Sequence, residues 1–174
     1  KKVKKLVTMG GCLHAPGNVS GVAEANIFGD AEASDRIIKA GFHMTLVGLD
    51  VTTKTYITAA NLEELERHAT GNNKKIVEYL KGALSFYFEF YRKSMGLVEQ
   101  CVVHDPLAMV IAEDATLAKM EMIRARVEYE NEGLRGMIVC DHRFASDWEQ
   151  DEVGFCCEVD SVVAVRHLLS VFQD

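Results

Sequence analysis

The sequence predicts an α/β fold: an open, mostly parallel sheet flanked by helices, with an antiparallel hairpin late in the chain. Three observations carry this. Two short, apolar, β-prone runs end at glycines, Val3–Met9 before Gly10-Gly11 and Met44–Gly48, and read as buried strands. A loop and a helix-length stretch lie between them, the order of a parallel strand–helix–strand unit. Near the end, Asn131-Glu132-Gly133 separates two strand-like segments, Lys119–Glu130 and Leu134–Cys140, in the manner of a hairpin.

The elements follow in order. After the first strand, Cys12–Ile27 holds two glycines, a proline and two asparagines and reads as a long loop. Asp30 is placed to cap a helix over Ala31–Ala40, with Gly41 as its left-handed stop. Helices are expected at about Asn61–Ala69 and about Asn73–Ser94, the second ending near Gly96. The middle of this second helix, Ala83–Tyr91, is strongly aromatic, so the helix is expected to be well buried. Pro106 suits the first turn of a short helix, Leu107–Glu113. Val153–Val159 is a further strand, and Asp160 caps a closing helix, Ser161–Phe172.

The chain has 174 residues, one domain's worth, with no repeat, low-complexity tract or linker, so a single domain over residues 1–174 is expected. Its net charge of −7 argues against a nucleic-acid partner, which needs a basic face. There is no signal-peptide pattern and no apolar run long enough to span a bilayer, so no membrane partner is expected. The five cysteines form no C-x-x-C pair, and an odd count among apolar runs points to a reducing, cytoplasmic setting.

Three groups of residues can carry chemistry. Asn18, Glu24 and Asn26 lie in the loop leaving the C-terminal end of the first strand, where open α/β sheets bind ligands. Two amides and a carboxylate suit a polyhydroxyl ligand; alternatively they satisfy backbone groups of the loop. His104-Asp105-Pro106 is the second. Its aspartate can cap the helix or hold a hard cation, and its histidine titrates near neutrality and can supply a proton to a leaving group. The plain alternative is an N-cap beside a core histidine. Tyr87 and Tyr91, four apart on one helix, share a face that can line a pocket for a flat heterocycle, or can simply be core. His14, His43, His68, His142 and His167 show no metal-ligand spacing, Cys156-Cys157 reads as structural, and the acidic residues Asp147, Glu149, Asp151 and Glu152 around Trp148 read as a solvated loop.

Taken together, M-G-G (Met9–Gly11), G-N-V-S-G-V-A-E-A-N-I-F-G-D-A-E-A (Gly17–Ala33), V-G-L-D-V-T (Val47–Thr52), H-D-P-L-A (His104–Ala108) and V-D-S-V-V-A-V-R-H-L-L (Val159–Leu169) resemble the inosine–uridine nucleoside hydrolase family in order and approximate spacing. The resemblance implies a Rossmann-like nucleoside-hydrolase sheet and hydrolysis of the N-glycosidic bond of purine or pyrimidine ribonucleosides to ribose and base. It implies that Asn18 and Glu24 hold the ribose 5′-hydroxyl and Asn26 the other ribose hydroxyls, with Met9 beside them in the substrate-binding set. It implies that Asp105 is a calcium ligand, that His104 helps protonate the departing base, and that Tyr87 and Tyr91 stand over the base pocket. In another branch of the family a tryptophan precedes this aspartate, so His104 sets the chain nearer the inosine–uridine type.

The sequence departs from the family pattern in two places. Ala25 stands where the family usually has a bulky aromatic. The family's aspartate-rich calcium motif, which also holds the carboxylate expected to activate water, has no counterpart here. The expectation is therefore a C-terminal portion, an incomplete sheet active only with the missing N-terminal half, binding calcium weakly or not at all alone and prone to form a homo-oligomer. A second reading keeps the fold without turnover, as a remnant that binds a nucleoside or a partner protein. A generic phosphate-loop domain is disfavoured, since no G-x-G-x-x-G or G-K-[ST] occurs.

Overall fold

The computed structural model of the chain describes residues 2–143, 145, 147–149 and 152–172. The first half runs β1 (Leu6–Met9), α1 (Ala25–Gly29), α2 (Ala31–Ile38), β2 (Met44–Val47), α3 (Leu49–Thr52), β3 (Tyr56–Thr58), α4 (Ala59–His68) and α5 (Asn73–Met95). The second half runs β4 (Gln100–Val102), α6 (His104–Glu113), β5 (Ala118–Ile123), β6 (Ala125–Val127), β7 (Ile138–Cys140), β8 (Val153–Val159) and α7 (Ser161–Ser170).

The main sheet has the order β1-β2-β8-β5. β1, β2 and β8 are parallel, with Leu6 opposite Met44, Met9 opposite Val47 and Leu46 opposite Phe155. β5 closes the sheet antiparallel to β8. Because side chains alternate across a strand, neighbouring apolar residues feed opposite faces. Leu46 and Phe155 pack with Ile27, Ile38 and Ile138 on one face, while Val47 and Cys156 pack with Leu107, Ile111 and Ala164 on the other. This two-sided burial explains the continuous apolar runs in the sequence. A further cluster, including Ile57, Leu65, Val77 and Leu169, fastens α4 and α5 to β3 and α7.

Helix boundaries follow local chemistry. Asp30 caps α2 by accepting from Ala33 N, and Asp160 caps α7 by accepting from Val162 N and Val163 N. Thr58 and Asn61 form a reciprocal capping box at α4. Gly41 (φ 67°) takes the left-handed conformation expected after α2, and Gly96 (φ 70°) ends α5 in the same way.

The structure corrects several expectations. β1 begins at Leu6; the preceding Val3 is exposed and pairs with no strand among the described residues. The long loop after it ends at Glu24, which caps the short helix α1. α3, β3 and β4 were not foreseen; they have four, three and three residues, too few to show a period. The expected strand over Lys119–Glu130 divides near Arg124: β5 pairs with β8, and β6 pairs with β7 as the hairpin. α6 begins at His104, and Asp105 is not its cap, since Val103 occupies that position without a side-chain bond. α5 is not well buried: only Val77 and Tyr91 are, while Phe86 is 73% exposed and Phe90 52%. Of the acidic cluster, Asp151 lies outside the described residues, Asp147 pairs with Arg143 and Glu152 with Arg124.

Gly48 shows how tightly the β2 end is packed. A Cβ there would lie 2.7 Å from the Gly11 carbonyl oxygen and 2.8 Å from the ring of fully buried Phe155. Gly48→Ala should therefore destabilise the fold by about 1–3 kcal/mol, the usual cost of overpacking. The check is urea unfolding, with a lower midpoint at an unchanged slope; an unchanged midpoint would contradict this packing.

Candidate active site

The strands β1 and β2 end in register, and their pairing continues past both ends. Gly10 N donates to Val47 O at 3.2 Å, and Leu49 N donates to Gly11 O at 2.8 Å. The loops that follow therefore leave from one sheet edge, the C-terminal end of parallel strands, where this architecture places ligands. Gly11 turns there with φ 81°, and its missing side chain admits Ile138.

Two buried carboxylates hold the loop. Glu24 Oε2 accepts from Gly11 N at 3.0 Å and Ile27 N at 3.1 Å, and Oε1 accepts from Asn26 N at 2.8 Å. Asp50 accepts from Leu13 N, His14 N and Ala15 N at 2.7–3.0 Å. Glu24 is 2% exposed and Asp50 4%, so neither can be satisfied by bulk water. Glu24 thus has a structural task beside the hydroxyl contact expected of it. A carboxylate offers about four acceptor positions; three are occupied, and the one remaining on Oε1 can accept a hydroxyl proton. Asp50 carried no role in the sequence reading; its signal was a carboxylate inside an otherwise apolar run.

The polar loop residues sit around this anchor. Asn18 is exposed, and its Oδ1 accepts from Ala25 N at 2.9 Å. Asn26 is exposed, and its amide nitrogen donates to Met9, at 3.4 Å to the carbonyl oxygen and 3.2 Å to the sulfur. Met9, Asn18, Glu24 and Asn26 therefore form one connected edge, with Ala25 exposed between the last two.

His104 comes to the same locality from the start of α6. Its Nε2 lies 3.2 Å from the Tyr91 hydroxyl, and its Nδ1 lies 2.8 Å from Thr52 Oγ1. Burial pushes the imidazole below its ordinary pKa, while the charges of Asp105 and Glu24 push it upward, which places both carboxylates within electrostatic reach. Tyr91 is buried, and desolvation raises its hydroxyl pKa, helped by Cys101 and Tyr87. Tyr87 is half-exposed and stacks on Tyr91, ring centres 6.5 Å apart at 25°. Thr52 was a further residue without a role in the sequence reading, since a threonine closing an apolar run gives no signal until the fold brings it to His104.

Asp105 is exposed beside His104. Among the described residues, no three His, Cys, Asp or Glu side chains group as a metal site. The residues described here therefore do not by themselves fit a calcium ion, which takes about six to eight oxygens. A groove of about 530 Å³ between α4 and α7, lined by Lys54, Tyr56, Asn61 and Arg166 among others, contains none of the site residues.

The arrangement joins hydroxyl-binding amides, a buried carboxylate and a phenol–imidazole pair at one sheet edge, a set able to grip a sugar and to meet a departing heterocycle. Comparison with known proteins gives the same direction. The inosine-uridine preferring nucleoside hydrolase family matches residues 1–164. The chain is 33% identical over 143 residues to the inosine-uridine preferring nucleoside hydrolase of Leishmania major, covering 82% of this chain and 43% of that one. It is 35% identical over 129 residues to uridine nucleosidase 1 of Arabidopsis thaliana, covering 73% of this chain and 37% of that one. It superposes on a solved plant nucleoside hydrolase with a TM-score of 0.85 at 29% identity, covering 97% of this chain and 53% of that structure. The chain spans less than half the length of the two curated relatives. A match of this reach in both sequence and fold makes the chain a member of the inosine-uridine preferring nucleoside hydrolase family.

Proposed function

We propose that this chain carries the leaving-group side and much of the ribose side of a nucleoside hydrolase site, and that the protein hydrolyses the N-glycosidic bond of purine or pyrimidine ribonucleosides to ribose and free base. The observation that carries the reading is the Tyr91–His104 pair, 3.2 Å apart, which Thr52 ties to α3, itself bonded through Leu49 N to the Gly11 turn that Glu24 holds. Breaking the ribosyl C–N bond builds positive charge on the sugar and negative charge on the base. Asn18, Asn26 and the open acceptor position of Glu24 orient the ribose hydroxyls, so binding is used for alignment. Met9, tied to Asn26, shapes the floor beneath the sugar. The Tyr91–His104 pair, backed by Tyr87, neutralises the base as it leaves.

The family resemblance implies calcium with Asp105 as one ligand. One exposed carboxylate does not make such a site. We propose that the remaining carboxylates, including the one that activates water, come from a further segment of the family's length, its N-terminal half. The outer edge of β1 pairs with no strand among the described residues, which supports its being covered by that segment or by a second copy in a homo-oligomer. Among the described residues, no helix is long and apolar enough to cross a membrane. Five free cysteines fit a reducing cytoplasm.

Two measurements test this reading. In the protein completed by that segment, His104→Ala should lower kcat for inosine or uridine about a hundredfold to ten-thousandfold, with a smaller effect on KM. It should cleave a nitrophenyl riboside, whose leaving group departs without a proton, at close to the parent rate. Equal slowing on both substrates would remove His104 from the leaving-group role. Titration calorimetry of residues 1–174 alone should give weak calcium binding or none, and tight stoichiometric binding would point to a site built from other residues.

A further inference from the structure

Thr52 closes α3 and is fully buried. Just past the helix, Thr53 and Thr55 return their hydroxyls to α3 carbonyls, Thr53 to Leu49 O at 2.6 Å and Thr55 to Val51 O at 3.1 Å, and Thr55 also meets Ser161 Oγ at 3.2 Å. Such i to i−4 bonds are common for threonine. Thr52 makes none. Its hydroxyl reaches across the sequence to His104 Nδ1 at 2.8 Å, its one hydrogen-bond partner among the described residues.

The direction of that bond follows from what is buried. A threonine hydroxyl has one proton to place, and an imidazole in its neutral form has one donor nitrogen and one acceptor nitrogen. If Nδ1–H donated to Thr52, the threonine's own proton would lie in an apolar interior without an acceptor, which buried polar groups avoid. If Thr52 donates to Nδ1, both groups are satisfied. His104 then carries its proton on Nε2, which faces the Tyr91 hydroxyl at 3.2 Å. Tyr91 oxygen accepts that proton's bond, leaving the phenol's own proton to point elsewhere, toward the face it shares with Tyr87.

We infer that Thr52 is a positioning residue for His104, fixing the neutral imidazole in the Nε2–H tautomer and aiming that N–H at Tyr91. Thr52, His104 and Tyr91 then form a line of donors running in one direction, from the core beneath β2 to the base side of the site. The consequence for turnover rests on the hydrolase reading; the tautomer itself does not. The hydroxyl is the element that matters, so Thr52→Ser should keep the arrangement and Thr52→Val, similar in shape, should lose it.

Long-range proton–nitrogen NMR spectra of the histidine rings test this at pH 8, with His104 assigned by its disappearance in His104→Gln. The parent chain and Thr52→Ser should show His104 with an unprotonated, hydrogen-bonded Nδ1 and a protonated Nε2. Thr52→Val should show mixed or reversed tautomers. A parent spectrum with the proton on Nδ1 would overturn the inference, as would a Thr52→Val spectrum identical to the parent; the parent spectrum decides even if Thr52→Val fails to fold. In the completed enzyme, Thr52→Val should lower kcat for inosine about tenfold to a hundredfold, the scale of loss when the orienting partner of a metal-bound histidine is removed. KM and the nitrophenyl riboside rate should change little, and Thr52→Ser should restore kcat. Equal losses on both substrates would make Thr52 a general structural residue. The spectra need no substrate, so a protein that hydrolysed no nucleoside would count against the hydrolase reading and leave the tautomer assignment to its own test.

Discussion

The turn after β1 leaves the Gly11 N–H in an interior packed by Ile27 and Ile138, where water cannot reach it, and α1 begins nearby with its own unpaired N–H groups. Glu24 resolves both at once. Its carboxylate accepts from Gly11 on one side and from Asn26 and Ile27 on the other, so one buried side chain ties the end of a sheet strand to the start of a helix. The rest of the edge depends on this tie. It sets where Asn26 lies against Met9 and where Ala25 N meets Asn18, and it brings a negative charge within reach of His104. Losing an acceptor for a buried N–H costs about 1–3 kcal/mol, so the tie is also a stability constraint. On the proposed reading, function and folding are coupled at this residue, because Oε1, which accepts from Asn26 N, also has a position open to a ligand's hydroxyl.

The parts of the fold that could be read from sequence are those whose pattern is set by the pleat and by caps. Met44–Val47 and the first four residues of β8, Val153–Cys156, are buried on both faces and therefore largely apolar, and Asp30, Gly41 and Asp160 mark helix ends by local hydrogen bonding or backbone freedom. The parts that stayed hidden are set by partners distant in sequence. β3 and β4 exist because they pair with each other across some forty residues, Ile57 opposite Cys101. The division of the segment near Arg124 follows from two different partners, β8 and β7, which no local pattern records.

The candidate site divides the same way. Asn18, Glu24 and Asn26, polar residues in a loop after an apolar strand, and His104, beside an aspartate and a proline, were visible as candidates, and the family resemblance rather than their spacing singled them out. Asp50 and Thr52 are buried within a stretch that looked like plain core, and their roles depend on loop amides 35–37 residues away and on a histidine 52 residues away. The aromatic run on α5 misled in the opposite sense. Aromatic density suggested burial, yet Phe86 and Phe90 face outward while Tyr91 turns inward to His104. Composition cannot separate a core stripe from a face that lines an open site, because both are apolar.

The Glu24 carboxylate, rather than packing alone, holds the M-G-G turn against α1. Amide hydrogen exchange, residue by residue, in the parent and in Glu24→Gln tests it most directly. The substitution keeps the side chain's shape and replaces one acceptor oxygen by a donor. Exchange should accelerate at Gly11, Asn26 or Ile27, while amides of the central strand β2 such as Leu46 keep their protection. Protection at all three loop amides unchanged, or lost uniformly across the sheet, would contradict the claim.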